Sequence, residues 1–231
     1  MKTKYLIPAF LLCAFQLTSC TQSDANSLAN DAMEVNIEEL AAITAFTTDT
    51  NSLSQPEMDG LLLMREEEKM AQDVYDSFYS TYRVINFDRI SNSEARHTAA
   101  ILALINHFGL TDPALTVPGK FTSTAIQGLY DKLVSMGTSA NTALSTGAFI
   151  EEYDIADLKK LLAETTNTDI IAVYSNLLKG SENHLRAFVR TLKIRGIVYV
   201  PQILSSSDFA AIIASTNSKG FGKGRGGNCR N

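Results

Sequence analysis

The chain has 231 residues, of which 45% are hydrophobic and 19% charged, and this length and composition can bury one sizeable core. Its formal net charge is −5 and its pI is near 5.2. Such a chain lacks the basic field that holds nucleic acid, so we expect no nucleic-acid partner.

Residues 1–19 have the pattern of an export signal. Lys2 and Lys4 precede an apolar run over 5–17, which is shorter than the roughly 20 apolar residues that a membrane helix needs. The ending "LTSC" resembles the lipobox of bacterial lipoproteins, which implies cleavage before Cys20 and acylation of that cysteine. We therefore expect an exported protein that is lipid-anchored to the bacterial cell envelope. A plain secretory signal is the alternative.

The mature chain has too few cysteines for a disulfide framework. Cys13 lies in the signal and Cys20 would carry lipid, which leaves Cys229. The segment 20–55 is rich in Ser, Asn, Thr and Asp and is expected to be a flexible tether, although the amphipathic stretch 33–46 suits a short helix. Residues 216–231 are glycine-rich and basic and are expected to form a flexible tail.

Hydrophobic periodicity between these ends predicts a domain over 56–215 made of helices. Apolar residues recur at three-and-four spacing in four long segments, and no convincing alternating strands occur. The second helix is expected to begin at an N-cap of Ser91 or Ser93 and to end before Gly109. The last helix is expected to begin at an N-cap near Ser206 or Ser207. The other predicted helices cover 56–82, 123–137, 140–164 and 169–194. The predicted class is all-α: a four-helix bundle with a short connecting helix and a C-terminal helix.

Each long helix carries an acid or an imidazole on the same stripe as its apolar residues. A buried carboxylate without a partner costs several kcal/mol, so several acids that face one core require compensation, which a metal pair can supply. These residues are Glu68, the pair Glu94 and His97, Glu151, and His184.

The pair Glu94 and His97 has the spacing of a metal-ligand step. Residues at i and i+3 of a helix project side by side, so the two side chains can bind one metal, or the carboxylate can bridge two. Glu-x-x-His in a four-helix bundle is the building unit of carboxylate-bridged di-iron and di-manganese centres. Carboxylate and imidazole ligands favour iron or manganese, and zinc is less expected.

Four motifs carry a family resemblance: "MREEEKMAQDVYDSFY", "SEARH", "GAFIEEYDIADL" and "NHLRAFVR". Together they resemble the ferritin-like family catalogued as domain of unknown function 2202, over about residues 60–213. More distantly, "EKMAQDVY" resembles the first metal helix of rubrerythrins, which favours Glu68 over Glu66 and Glu67 as ligand. The resemblance implies oxygen- or peroxide-linked redox chemistry, such as ferrous oxidation or peroxide reduction.

The fourth long helix departs from the ferritin-like pattern. That pattern has a second Glu-x-x-His, but Ser181 stands three residues before His184, and Glu182 points about 200° away. Asp154 can compensate, because it lies three residues after Glu151. The predicted metal set is therefore Glu68, Glu94, His97, Glu151, Asp154 and His184, for two ions or, as an alternative, one.

Plainer interpretations stay open for several of these residues. Glu94 can be a favourable first-turn acid near a serine cap. Glu66 and Glu67 can belong to a solvated face or pair with Arg65 and Lys69, although Glu67, like Glu152, can replace its neighbour as ligand. His107 lies near the end of the second predicted helix, where a histidine can interact favourably with the helix dipole instead of binding metal. The functional alternatives are a non-enzymatic envelope scaffold and a structural metal module.

Overall fold

The computed structural model describes residue 46 and residues 53–215. Cys20, the export signal, most of the tether and the tail lie outside these residues. Six α-helices and no strand occur within them, which confirms the all-α class. They are α1 Gln55–Tyr82, α2 Ile85–His107, α3 Thr124–Met136, α4 Ala140–Glu164, α5 Thr168–Ile194 and α6 Ser206–Ala214. None of these helices is both long and apolar enough to cross a membrane.

The four long helices form a bundle of two hairpins. Helices α1 and α2 pack along each other, as do α4 and α5, and the hairpins meet through α1 with α4 and α2 with α5. Short helix α3 crosses from one hairpin to the other and packs against α1 and α4. The connecting and C-terminal helices therefore occur as the sequence predicted.

The first turn of the bundle reverses the chain without a glycine or proline. Arg83 follows the last residue of α1 in a left-handed conformation, with φ of 53°, and α2 begins two residues later, at Ile85. The prediction that α2 begins at Ser91 or Ser93 is therefore wrong, because both serines lie inside the helix. The Ser91 hydroxyl donates to the Asp76 carboxylate instead of capping a helix.

This correction changes the environment of Glu94. Its position is in the third turn of α2, far from the helix N-terminus, so neither a cap nor the first-turn dipole explains an acid there. The end of α2 is as expected: Phe108 caps it and Gly109 follows with φ of +66°. The first-turn interpretation of Glu94 is excluded.

Two hydrophobic clusters lie along the bundle, one on each side of its polar middle. One is rich in aromatic rings, including Tyr75, Phe87 and Phe188. The other is mainly aliphatic, around Leu61 and Ile101. On α1, α2 and α5 the residues predicted to bind metal lie in sequence between a segment of one cluster and a segment of the other, and on α4 they lie just before the change from one cluster to the other. The buried polar groups therefore share one layer.

Glu152 anchors the extended segment that follows α5. Its carboxylate accepts hydrogen bonds from the Tyr199 hydroxyl at 2.5 Å and from the backbone N–H groups of Gln202, Ile203 and Leu204 at 2.9–3.1 Å. Helix α6 then begins after Ser205, whose side chain accepts from the N–H of Asp208. The cap is thus one residue before the expected Ser206.

Candidate metal centre

All four long helices contribute to one buried polar layer. Glu68 comes from α1, Glu94 and His97 from α2, Glu151 from α4 and His184 from α5. The three glutamates are 0% exposed, His184 1% and His97 5%. The structure therefore brings together five of the six residues that the sequence singled out for metal.

The first of two ligand groups joins α1 and α2. His97 Nδ1 lies 2.7 Å from Glu94 Oε2 and 3.2 Å from Glu68 Oε2. One potential ligand atom from each of the three residues lies within 4.8 Å of the others. We call Glu68, Glu94 and His97 the first triad.

The second group joins α2, α4 and α5. His184 Nδ1 lies 2.8 Å from Glu94 Oε1 and 3.4 Å from Glu151 Oε2, and these residues meet the same 4.8 Å limit. We call Glu94, Glu151 and His184 the second triad. Glu94 belongs to both triads, and its two oxygens point to different histidines, which is the arrangement of a bridging carboxylate.

Several atoms of the triads are buried without a hydrogen bond. Both oxygens of Glu94, Oε1 of Glu68, Oε2 of Glu151 and Nδ1 of His184 have no hydrogen-bond partner among the described residues. The 2.8 Å contact of His184 with Glu94 is thus close but lacks hydrogen-bond geometry. Since buried polar groups are almost always satisfied, this donor set fits a metal that takes up the lone pairs.

The charges of the two triads shift one another's protonation. Burial raises the pKa of Glu68 to about 7 despite the opposing charge of His97. Burial disfavours the charged form of both histidines, but the Glu94 carboxylate and its neighbours prevail and raise the pKa of His184 to about 9 and that of His97 well above its usual value. Burial also opposes ionisation of Glu94, yet the two histidines hold its pKa below its usual value. Without metal, protons therefore supply the compensating charge.

Two residues outside the predicted set position the ligands. The Tyr75 hydroxyl donates to Glu151 Oε1 at 2.5 Å, so this tyrosine orients a ligand as well as packing in the core. Gly180 faces the His97 ring, because a Cβ at that position would lie 2.6 Å from both Cε1 and Nε2. A glycine inside a helix, one residue before Ser181, was the sequence signal for this close approach.

Asp154 is buried beside the triads but belongs to neither. It is 0% exposed and neither carboxylate oxygen has a hydrogen-bond partner among the described residues. Burial, followed by the charges of Glu68 and Glu151, raises its pKa well above the usual value. Its role as a ligand remains a prediction.

Glu66 and Glu67 are not on a solvated face, contrary to the first interpretation. Glu66 is 4% exposed and accepts hydrogen bonds from the N–H groups of Thr122 and Ser123, at the start of α3, while Glu67 is fully buried. Their expected partners bind elsewhere: Arg65 pairs with Asp112 at 2.8 Å and Lys69 with Asp73 at 2.5 Å. Helix α1 is covered on more sides than its amphipathic pattern indicated, because α3 and the preceding loop pack on it.

The remaining candidates have structural contacts. The four donors of Glu152 tie it to the segment after α5, so it does not compete with Glu151. The Ser181 hydroxyl donates to the Leu177 carbonyl at 3.2 Å and supplies no carboxylate. His107 lies in the last turn of α2, 3.8 Å from Asp169.

Comparisons with known proteins show the same domain elsewhere. Residues 57–216 match the family described as an uncharacterized protein domain, DUF2202. The uncharacterized protein MJ0754 of Methanocaldococcus jannaschii is 42% identical over 173 residues, which are 74% of this chain and 94% of that protein. The crystal structure of the hypothetical protein MJ0754 superposes with a TM-score of 0.70 at 43% identity, over 71% of this chain and 95% of that one.

Proposed function

The chain belongs to the DUF2202 family, and from this premise and the geometry of the two triads we propose that it binds two iron or two manganese ions inside its bundle. The observation that carries the proposal is the position of Glu94. One fully buried carboxylate is shared by two Glu/His groups on four helices, and its oxygens are 2.7 Å and 2.8 Å from the two histidines.

The charges of the polar layer support two divalent ions. Glu68, Glu94 and Glu151 supply three negative charges within the triads, and Asp154 supplies a fourth beside them, so four carboxylates balance two divalent cations when both histidines are neutral. Carboxylate oxygens with one imidazole per ion suit iron or manganese. Zinc more often takes a closed tetrahedral set in structural sites, so we rank it lower.

We further propose oxygen- or peroxide-linked redox activity, which the ferritin-like and rubrerythrin-like resemblance implies. When bound, the two ions would supply electrons to the oxidant. The chain's own residues hold the ligands in place: Tyr75 donates to Glu151, and Gly180 leaves room for the His97 ring. Ser181 fills the fourth-helix position with a small side chain whose hydroxyl donates within its own helix.

The proposed setting is the bacterial cell envelope. The export signal over residues 1–19 and the "LTSC" motif support a lipid on Cys20, with residues 20–55 as a tether and 56–215 as the metal-binding domain. A lipid anchor would hold the domain at a membrane surface.

A second candidate is a structural metal site in a non-enzymatic scaffold. The observation that favours it is Ser181, because the absence of a second Glu-x-x-His removes one expected ligand. Such a site would bind metal and stabilise the bundle without reacting with oxygen or peroxide.

The test measures bound metal and reactivity separately. Purified protein is loaded anaerobically with Fe(II) or Mn(II), desalted, and analysed for metal, beside a variant that carries both His97→Ala and His184→Ala. We expect two ions per wild-type chain, none in the variant, and oxidation of the Fe(II) form by oxygen or peroxide. Failure of the wild type to retain either metal would refute the proposal. Retained metal that is silent toward both oxidants would leave the structural site.

A further inference from the structure

A second set of acids continues from the triads toward the surface. Glu67 on α1 is 0% exposed, and Asp154 and Asp157 lie one turn apart on the same face of α4. Asp154 is fully buried and Asp157 is partly exposed. Burial raises the pKa of the Tyr153 phenol and the charges of all three acids raise it further, so the three lie within electrostatic range of this residue.

These acids lack the donors that buried carboxylates normally have. Neither oxygen of Glu67 and neither oxygen of Asp154 has a hydrogen-bond partner among residues 53–215. Burial raises the pKa of Glu67, and the charges of Asp157 and then Glu68 raise it further, so the charged groups that act on it most strongly are other acids. Four buried carboxylate oxygens on two facing helices therefore have no matching N–H or O–H, although unsatisfied buried groups of this kind are rare.

The basic residues around Glu67 do not neutralise it. Arg65 and Lys69 flank Glu67 in the sequence, but they form ion pairs with Asp112 and Asp73. Lys160 acts on Asp157, at the exposed end of the set. The inner acids thus face one another, which disfavours their ionisation unless a cation lies between them.

The three acids differ in their exposure to solvent, and the two buried ones interact with the first triad. Asp157 is partly open to solvent, Glu67 and Asp154 are buried, and the charge of Glu68 acts on both of the buried acids. The set has only oxygen ligands. Oxygen ligands without imidazole bind hard divalent cations in a more exchangeable way than a site that also uses histidine.

We infer that Glu67, Asp154 and Asp157 form a transfer site through which a divalent cation passes from solvent to the triads. The inference rests on the proposed metal function and adds a route to it. Asp157 attracts the hydrated ion, and Glu67 with Asp154 holds it next to Glu68 as water is lost. The site speeds uptake, and the final content of the centre is set by the triads.

The experiment compares the rate of metal uptake with the final content. Wild-type protein, Glu67→Gln and Asp157→Asn are mixed with Mn²⁺, and loss of the free ion is followed with a fluorescent chelator in a stopped-flow instrument. Removing one charge from an entry path lowers the association rate, so we expect uptake roughly tenfold slower for Glu67→Gln and roughly threefold slower for Asp157→Asn. Final Mn²⁺ per chain should equal that of wild type in both.

Glu164→Gln is the matched control, since it removes one exposed acid from the same helix as Asp157 and should leave the rate unchanged. Circular dichroism and the urea midpoint report folding, and partly exposed Asp157 provides a test even where a change at buried Glu67 impairs folding. If the wild type takes up Mn²⁺ and both variants take it up at the same rate, the transfer site is overturned but the proposed metal centre is not. A lower final Mn²⁺ content in Glu67→Gln would overturn it too, because Glu67 would then be a ligand of the centre. A wild-type chain that takes up no Mn²⁺ would overturn both proposals.

Discussion

Two groups of buried carboxylates in this bundle have opposite surroundings. Glu66 and Glu152 accept hydrogen bonds from backbone N–H groups of loops, and Glu152 also accepts from Tyr199. The acids shared by the triads, Glu68, Glu94 and Glu151, are equally buried, but four of their six oxygens have no hydrogen-bond partner among the described residues. Burial alone therefore does not separate the candidate ligands from Glu66 and Glu152; the absence of donors does.

The difference arises between neighbours in the sequence. Consecutive residues on a helix point about 100° apart, so Glu151 faces the bundle interior while Glu152 faces the segment after α5. A carboxylate that receives several N–H groups is stabilised by the protein itself. One that meets only histidines and other acids needs protons or metal ions, which suits a site that exchanges one for the other.

Replacing Glu94 should have the largest effect. Glu94→Gln removes the charge that both triads share, and loss of a buried charged partner costs about 3–5 kcal/mol, or roughly a hundredfold to several thousandfold in metal affinity. Isothermal titration with Mn²⁺ measures this loss. Glu152→Gln, an equally buried but donor-satisfied acid, is the control and should keep its two ions. Equal loss of metal in both variants would break the distinction between the two groups.

The pH dependence of the metal-free protein should reveal the protons held by the centre. The folded pKa of His184, about 9, lies above its ordinary value of 6.5, so its contribution to stability is complete below pH 6.5 and is lost as the pH rises through 9. Glu68, raised from 4.5 to about 7, acts in the same direction at lower pH. The free energy of unfolding should fall between about pH 5 and 9, by on the order of 3 kcal/mol for His184 alone.

Urea denaturation of metal-free and Mn²⁺-loaded protein across this range measures the effect. Bound metal replaces the protons, so the fall should be much smaller in the loaded form. A metal-free protein whose stability rises from pH 6.5 to 9 would contradict the protonation described for the triads.

Glu152→Gln should lower the free energy of unfolding, in contrast to Glu94→Gln, whose expected effect is on metal affinity. The substitution weakens charge-assisted hydrogen bonds to Tyr199 and three backbone N–H groups, and we expect a loss of about 2 kcal/mol. Chemical denaturation in the metal-free state, at a pH near 6, provides the measurement. Unchanged stability would mean that the segment after α5 does not depend on this anchor.

The smallest expected effect is that of a single methyl group. Gly180→Ala would place a Cβ 2.6 Å from the His97 ring, which must move, and we expect metal affinity to fall about tenfold, as for other residues that orient ligands. Gly128→Ala is the control, because no atom lies within 4 Å of that added Cβ and the substitution also falls in a helix. Equal affinities in the two variants would show that Gly180 does not set the position of His97.

The helices were predictable where local signals agree. The bounds of α4 match the prediction because Ser139 caps its start and the apolar stripe is regular. The start of α2 was misplaced because Ser91 and Ser93 look like caps, while the true turn uses Arg83 in a left-handed conformation that few sequences signal. Local chemistry defined the helices, but the turn depends on how α1 and α2 pack.

The sequence by itself determined the all-α class, the inward stripes and the step from Glu94 to His97, because helical periodicity and i, i+3 spacing are local properties. The tertiary structure alone decided which neighbouring acids have donors. The groups that satisfy Glu66 and Glu152 lie about 50 residues away in the chain, and the histidine that Gly180 admits lies about 80 residues away. No local pattern can encode such contacts, since they exist only once four helices and their loops have packed around one layer.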